Sequence, residues 1–254
     1  MDSTTSAVAS AALDPTELDT LVLAAAEIEG WAAGSHVWGH YAEQTDHGPA
    51  ICRTENVSAC RPDVRALVDG PLRAIASARL GTEATAFKDK INYKQPGGAG
   101  FLPHQDRHAY PDAPDLVSLL VAIDACTEAS GCLWIATGVD HLLPTDDRGV
   151  VESHVTDALD WEMVELAPGD ALVIDGWLPH WSDANHTDAA RRVLVASYAP
   201  AGSGYTRDSY YAARAAEMAT STGRDGRFRI STHADFAGEE VAPDARAEDG
   251  CTHP

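Results

Sequence analysis

Basic side chains are scarce in this chain: 18 Lys and Arg stand against 39 Asp and Glu among 254 residues, a formal charge of −21. Phosphate-backbone binding needs clustered cations, so nucleic acid is not an expected partner, and the same acidity disfavours approach to an anionic membrane surface. Long hydrophobic runs are missing too, and without a stretch of about eighteen apolar residues no membrane span is expected. The five cysteines, Cys52, Cys60, Cys126, Cys132 and Cys251, form an odd set with no C-x-x-C pair. That usage fits a reduced, cytoplasmic setting with buried free thiols, Cys126 and Cys132 being two that could meet in space. There is no G-x-S-x-G elbow and hence little support for serine hydrolase chemistry. The run Gly97-Gly98-Ala99-Gly100 leads into a strand-like segment, so it lacks the helix N-terminus that a phosphate loop requires. No internal repeat is present. Met1 to Ala12, rich in Ser, Thr and Ala, carries neither the Arg of a transit peptide nor a signal's apolar core.

What is present is ordinary globular material, with 44% hydrophobic and 22% charged residues, too apolar for a disordered chain. Residues 1–13 are expected to be flexible, 14–222 to form one domain, and 223–254 to be a mobile tail, since from Asp235 onward six acids face a single Arg246. Asp14-Pro15-Thr16-Glu17 reads as a capping-box helix start ahead of an apolar stripe through Leu18, Leu21, Val22, Ala25 and Ile28. A second helix is expected from Pro62 to about Leu80, bent at Gly70-Pro71. From Glu83 the texture changes to short strand-like runs: Thr85 to Lys94, Leu116 to Ile123, Gly131 to Ala136, Glu162 to Leu166, Ala171 to Ile174 and Arg192 to Tyr198. Their spacing suggests a mainly β fold with flanking helices, an antiparallel barrel or double sheet. Tyr205 to Met218 reads as an amphipathic helix that caps it.

The informative segment is Phe101-Leu102-Pro103-His104-Gln105-Asp106. On a strand, residues two apart share a face, so His104 and Asp106 can offer an imidazole and a carboxylate to one ion. His180, in Asp175-Gly176-Trp177-Leu178-Pro179-His180 after a buried strand, is the best third ligand. Two histidines and one carboxylate leave coordination positions open, the arrangement of non-haem Fe(II) oxygenases. Arg191 follows eleven residues after His180, and a guanidinium fork suits the far carboxylate of a dicarboxylate cosubstrate. Ser182 can add a hydroxyl. In Phe87 to Lys94, alternation puts Lys88, Lys90, Asn92 and Lys94 on one face. Either that face lines the cavity, where Lys90 and Asn92 would hold 2-oxoglutarate or an anionic substrate, or it is the solvated side of an edge strand.

At these residues the sequence resembles the phytanoyl-CoA dioxygenase family, Fe(II) and 2-oxoglutarate dependent oxygenases built on a double-stranded β-helix (a jelly-roll, cupin-like core). The matching pieces are His104-Gln105-Asp106, Ser130-Gly131-Cys132-Leu133 with Thr137-Gly138-Val139-Asp140-His141, Pro168-Gly169-Asp170, and His180 with Ser182, Asn185, Thr187 and Arg191. Departures fall at Thr137, where the family usually has Pro, and at Trp181, where it has small residues. The resemblance implies that His104, Asp106 and His180 bind iron and that Arg191 pairs with the far carboxylate of 2-oxoglutarate, with Ser182 and Gln105 assisting. It implies dioxygen as second cosubstrate and succinate and CO2 as products. Retention of Asp106, which halogenating members replace with a small residue, implies hydroxylation or a related C–H oxidation of a small metabolite, of the kind met in bacterial secondary metabolism. The rivals are a metal-dependent cupin-type enzyme that does not use 2-oxoglutarate and a non-catalytic barrel that binds a small anion.

Other candidates have plainer readings. His36 and His40 are four apart, but Gly34 and Gly39 argue against the helix that a zinc pair needs. His108 and His186 are expected at the pocket rim, and His141 in support of the fold. Of Trp134, Trp161, Trp177 and Trp181, only Trp181 is expected to see the cavity, the others being core.

Overall fold

The computed structural model describes residues 6–35, 37–220 and 238–242. The first helix, α1 (Pro15–Glu29), begins as the sequence indicates: the Asp14 carboxylate accepts from the Thr16 and Glu17 amides, and the Asp14 amide donates to Glu17 at 2.9 Å. Its buried stripe is Leu21, Ala24, Ala25 and Ile28. The second expected helix is split as its Gly70-Pro71 pair requires, into α2 (Pro62–Leu67) and α3 (Arg73–Leu80), with a wide turn over Val68–Leu72 and the break in backbone angles at Gly70.

Twelve strands follow one another among the described residues: β1 (Ser6–Ala9), β2 (Gly39–Thr45), β3 (Gly48–Glu55), β4 (Ala84–Lys94), β5 (Phe101–His104), β6 (Val117–Ala122), β7 (Leu133–Ile135), β8 (Glu162–Val164), β9 (Ala171–Asp175), β10 (His180–Ser182), β11 (Arg191–Pro200) and β12 (Glu239–Glu240). They form an eight-stranded sheet in the order β1-β9-β6-β11-β4-β3-β2-β12 and a four-stranded sheet in the order β5-β10-β7-β8, with every pairing antiparallel.

Alternation along the large sheet separates two cores. One face, with Val117, Leu119, Val121, Leu194, Ala196, Ile91 and Tyr93, packs on α1, α2 and α3. The other, with Leu120, Ala122, Leu172, Ile174, Val193 and Val195, meets Ile135 and Val164 of the small sheet and forms the barrel interior. This is the expected double-stranded β-helix with helices on one flank. The expected terminal helix is α4 (Arg207–Thr220); Arg207 ties it to Asp89 at 2.9 Å, and Tyr210 and Tyr211 are buried at the barrel's end against Phe87 and Tyr110.

Two expectations about the termini are corrected. Within 1–13, expected to be flexible, Ser6–Ala9 pair with Ala171–Ile174, and the Ala11 amide donates to Asp170 at 2.8 Å; an exposed sheet edge recruited the segment. In the tail, Glu239–Glu240 pair with Tyr41 and Ala42 of β2, and the rest of the expected mobile stretch lies outside the described residues. The β2–β3 hairpin was not foreseen. Its two-residue turn, Asp46-His47, is closed by Thr45 and by Gly48 at φ +107°. Cys52, Cys126 and Cys132 are buried free thiols, and no helix among the described residues is long and apolar enough to cross a membrane.

Replacing Asp14 with Ala removes both helix-start bonds of its side chain and is expected to cost about 1 kcal/mol. Urea unfolding of Asp14→Ala beside the parent chain measures it; an unshifted midpoint would show that the cap is not needed.

Candidate active site

Strand register brings the first two candidate ligands together: β10 pairs with β5 so that His180 sits opposite His104, and their rings lie 4.2 Å apart between centroids. Asp106 is not on a strand, as the two-residue alternation assumed; β5 ends at His104 and Asp106 opens a short 3₁₀ turn. The turn still delivers the carboxylate, for the donor atoms of His104, Asp106 and His180 all lie within 4.8 Å of one another. Each imidazole uses Nδ1 on the carbonyl two residues before it, His104 on Leu102 at 2.7 Å and His180 on Leu178 at 3.0 Å. A carbonyl only accepts, so Nδ1 carries the proton in both rings and Nε2 is the lone-pair nitrogen.

Electrostatics fit the same reading. Burial, helped by the neighbouring His104, pushes the His180 pKa down to about 4. Burial opposes ionisation of Asp106, yet His180, His104, Lys90 and Lys88 together hold its carboxyl below the ordinary range. The Ser118 hydroxyl donates to Asp106 at 3.1 Å and is itself fixed by Ser197. Two imidazole nitrogens and one carboxylate on one side of an open cavity suit Fe(II), although the donors alone do not select it over other divalent ions.

The cavity is lined by these three residues, by apolar side chains including Leu120, Val193 and Val195, and by Arg53, Lys90, Asn92, Ser182 and Arg191. At one end Arg191, buried at 5% exposure, donates to the Gly131 carbonyl at 2.7 Å. Lys94 lies beside it, with its ammonium on the same carbonyl, on the Asp183 carbonyl and on Ser182 Oγ at 2.8 Å. Burial and the Arg191 charge bring the Lys94 pKa down to about 7. This close approach requires glycine at 131: φ is +72°, and a Cβ would stand 2.4 Å from the Asp183 carbonyl.

The lysine strip faces inward. Its strand β4 lies between β11 and β3 well inside the large sheet, which overturns the solvated-edge alternative. Lys88 is buried, with Glu55 at 3.7 Å and the rings of Tyr110 and Tyr210 about it. Lys90 reaches the cavity, its pKa lowered to about 7 by burial and by the charges of Arg53 and Lys88.

Sequence reasoning missed Arg53, which lines this same cavity from β3. Its Nη1 donates to Glu55 at 3.0 Å, its Nε to Asn92 at 3.2 Å, and its guanidinium lies 5.5 Å from the centre of the Phe101 ring. The available signal was Arg53 and Glu55 two apart in Ile51-Cys52-Arg53-Thr54-Glu55, legible only once that segment is a strand. Trp181 lines the cavity as expected. Trp134 stacks on Trp181 at 5.5 Å and, like Trp161 and Trp177, is half-buried instead of core.

Gln105 does not join the cavity. Lying between two inward residues, it points the other way, is 1% exposed, and bonds the His141 and Trp177 carbonyls and the Leu143 amide. It therefore ties the His104–Asp106 segment to the loop ahead of His180 without reaching a cosubstrate. His141 contributes that carbonyl while its ring is exposed, His108 is bonded to Leu143, and His186 sits at the surface. His40 is a buried strand residue bonded to Thr54 at 2.7 Å, and its proposed partner His36 lies outside the described residues.

The sequence model of the family described as phytanoyl-CoA dioxygenase (PhyH) matches residues 6–193. The chain belongs to that family. Among curated relatives, the methylphosphonate hydroxylase of Gimesia maris is 38% identical over 189 residues, 73% of each chain. The 2-aminoethylphosphonate dioxygenase of an uncultured bacterium is 32% identical over 192 residues, again 73% of each chain. The crystal structure of AviO1 from Streptomyces viridochromogenes superposes with a TM-score of 0.64 at 25% identity, over 78% of this chain and 90% of its own. EctD from S. alaskensis, solved with 2-oxoglutarate and 5-hydroxyectoine, shares the fold with a TM-score of 0.64 at 20% identity, over 77% and 72%. This PhyH protein is accordingly an Fe(II) and 2-oxoglutarate dependent oxygenase with a small-molecule substrate.

Two outcomes follow for the metal-free PhyH chain. Burial brings the pKa of His40, like that of His180, down to about 4, below the ordinary value near 6.5 that each regains on unfolding. The unfolded chain thus takes up these protons first as pH falls, so stability should drop between about pH 6.5 and 4, by on the order of 3 kcal/mol per histidine. His40→Gln should flatten that slope in a pH series of denaturant melts; an unchanged slope would mean that His40 is protonated in the native core. Gln105→Leu should weaken Fe(II) binding about tenfold or more by releasing the loops it ties. An anaerobic Fe(II) titration of the variant giving the parent affinity would remove that role.

Proposed function

We propose that this chain hydroxylates a C–H bond of a small organic phosphonate, with iron held by His104, Asp106 and His180 and with 2-oxoglutarate and dioxygen as cosubstrates. The observation that carries this reading is one cavity lined by a His-Asp-His donor set and by the cations Arg191, Arg53 and Lys90, with Lys94 behind its wall on Ser182. Cations gathered on the wall of one cavity in a chain of charge −21 call for anionic occupants. The two phosphonate-oxidising relatives support the choice of anion.

Bound iron supplies the oxidation of the C–H bond, coupled to loss of CO2 from 2-oxoglutarate and release of succinate. The chain's own residues hold and orient. Arg191 and Lys94 pair with the far carboxylate of 2-oxoglutarate; Ser182 Oγ accepts from Lys94 and so keeps its own proton to donate to that carboxylate. Lys90 and Asn92, on the next inward positions of β4, face the substrate side. Leu120, Val193 and Val195 keep water from the reacting carbon. The rival cupin reading has no use for Arg191, and the non-catalytic barrel has none for the converging His104, Asp106 and His180.

The test is an anaerobic titration with Fe(II) and 2-oxoglutarate followed by the visible metal-to-ligand charge-transfer absorption, and then phosphonate-dependent succinate release. Parent protein should give the band, Asp106→Ala should lose it, and Arg191→Ala should need at least about tenfold more 2-oxoglutarate. Iron binding without the band would return the chain to the cupin reading, and no iron binding would return it to the anion-binding barrel.

A further inference from the structure

Building on the phosphonate reading above, we infer that Arg53 and Lys90 grip the phosphonate group itself and that the cavity selects alkylphosphonates without an amine. Arg53 is on β3 and Lys90 on β4, and the register that sets Arg53 beside Asn92 sets Glu55 beside Lys90, so both cations occupy one wall. The wall is assembled in advance. Glu55 and Asn92 hold the Arg53 guanidinium by Nη1 and Nε, and Phe101 lies against it, so little side-chain freedom remains to be lost when an anion arrives.

Charge and lining chemistry give the selectivity. Arg53, Lys88 and Lys90 surround the single carboxylate of Glu55, so positive charge is in excess there and an arriving dianion, which also favours the protonated form of Lys90, gains more than a singly charged carboxylate. The carbon side of the ligand meets Leu120, Ile174, Val193 and Val195. Among the described residues lining the cavity the one carboxylate is Asp106, which the metal site uses. A substrate ammonium would therefore be buried among cations without an opposite charge, an arrangement that binding sites avoid. An ethyl group in its place is accommodated by the aliphatic wall.

The test is anaerobic calorimetry on the full chain loaded with Fe(II) and 2-oxoglutarate, using ethylphosphonate, 2-aminoethylphosphonate and propionate as probes, with succinate release recorded for each. Ethylphosphonate is expected to bind at least about tenfold more tightly than either of the others. Arg53→Gln should weaken ethylphosphonate binding at least about tenfold while 2-oxoglutarate affinity stays within about threefold, and Arg53→Lys should restore part of the loss. Equal or tighter binding of 2-aminoethylphosphonate overturns the inference and leaves the phosphonate reading standing; so does an Arg53→Gln effect that falls on 2-oxoglutarate. Propionate binding and turnover with neither phosphonate active overturns both. The comparison of the three probes on the parent chain decides the selectivity even if Arg53→Gln does not fold.

Discussion

The pairing of β5 with β10 that sets His104 opposite His180 is the constraint on which the site rests. It fixes two imidazoles side by side, both with Nδ1 spent on their own backbone two residues earlier, so their remaining nitrogens converge without any loop having to close. Asp106 joins by a tight turn, and Gln105, between the two ligands, grips the loops on the other side of the strand. A one-residue slip of this pairing would turn His104 away from His180. The donor geometry is therefore a property of strand register more than of any single side chain.

The second organising feature is where the cations are placed. The chain as a whole is strongly acidic, yet its barrel interior concentrates Arg53, Lys88, Lys90, Lys94 and Arg191 along inward positions of three neighbouring strands. Burial works against each charge, and Lys90 and Lys94 are left with pKa values near neutrality. Such a lining is costly when empty and favourable when filled by anions, which couples occupancy to the stability of the whole barrel.

Much of this was legible in the sequence, and the parts that were not have physical reasons. That His104, Asp106, His180 and Arg191 come together on one cavity could be read because residue type, order and spacing along the chain already point to it. The capping box at Asp14 and the bend at Gly70-Pro71 could be read because they are local. Arg53 could not, because its place on the cavity wall depends on β3 lying beside β4, a pairing that alternation in Phe87–Lys94 does not reveal. The direction of Gln105 was misread for a related reason: a motif names neighbours in sequence, and adjacent strand residues face opposite ways. The orientation of the lysine strip was undecidable until β4 was found in the interior of the sheet. Ser6–Ala9 and Glu239–Glu240 escaped because edge strands are recruited by a template elsewhere in the chain.

The β2–β3 hairpin has a consequence for how such a barrel can diversify. The candidate ligands His104, Asp106 and His180 lie on or beside the small sheet and Arg191 lies on β11, whereas Arg53 and Glu55 are carried by the hairpin, whose register with β4 is Arg53 with Asn92, Thr54 with Ile91 and Glu55 with Lys90. The oxidising machinery and the wall next to it are thus encoded in separate, contiguous stretches of chain. Substitutions within residues 39–55 therefore act on the Arg53 side of the chamber and leave the β5–β10 register, which sets His104 opposite His180, untouched.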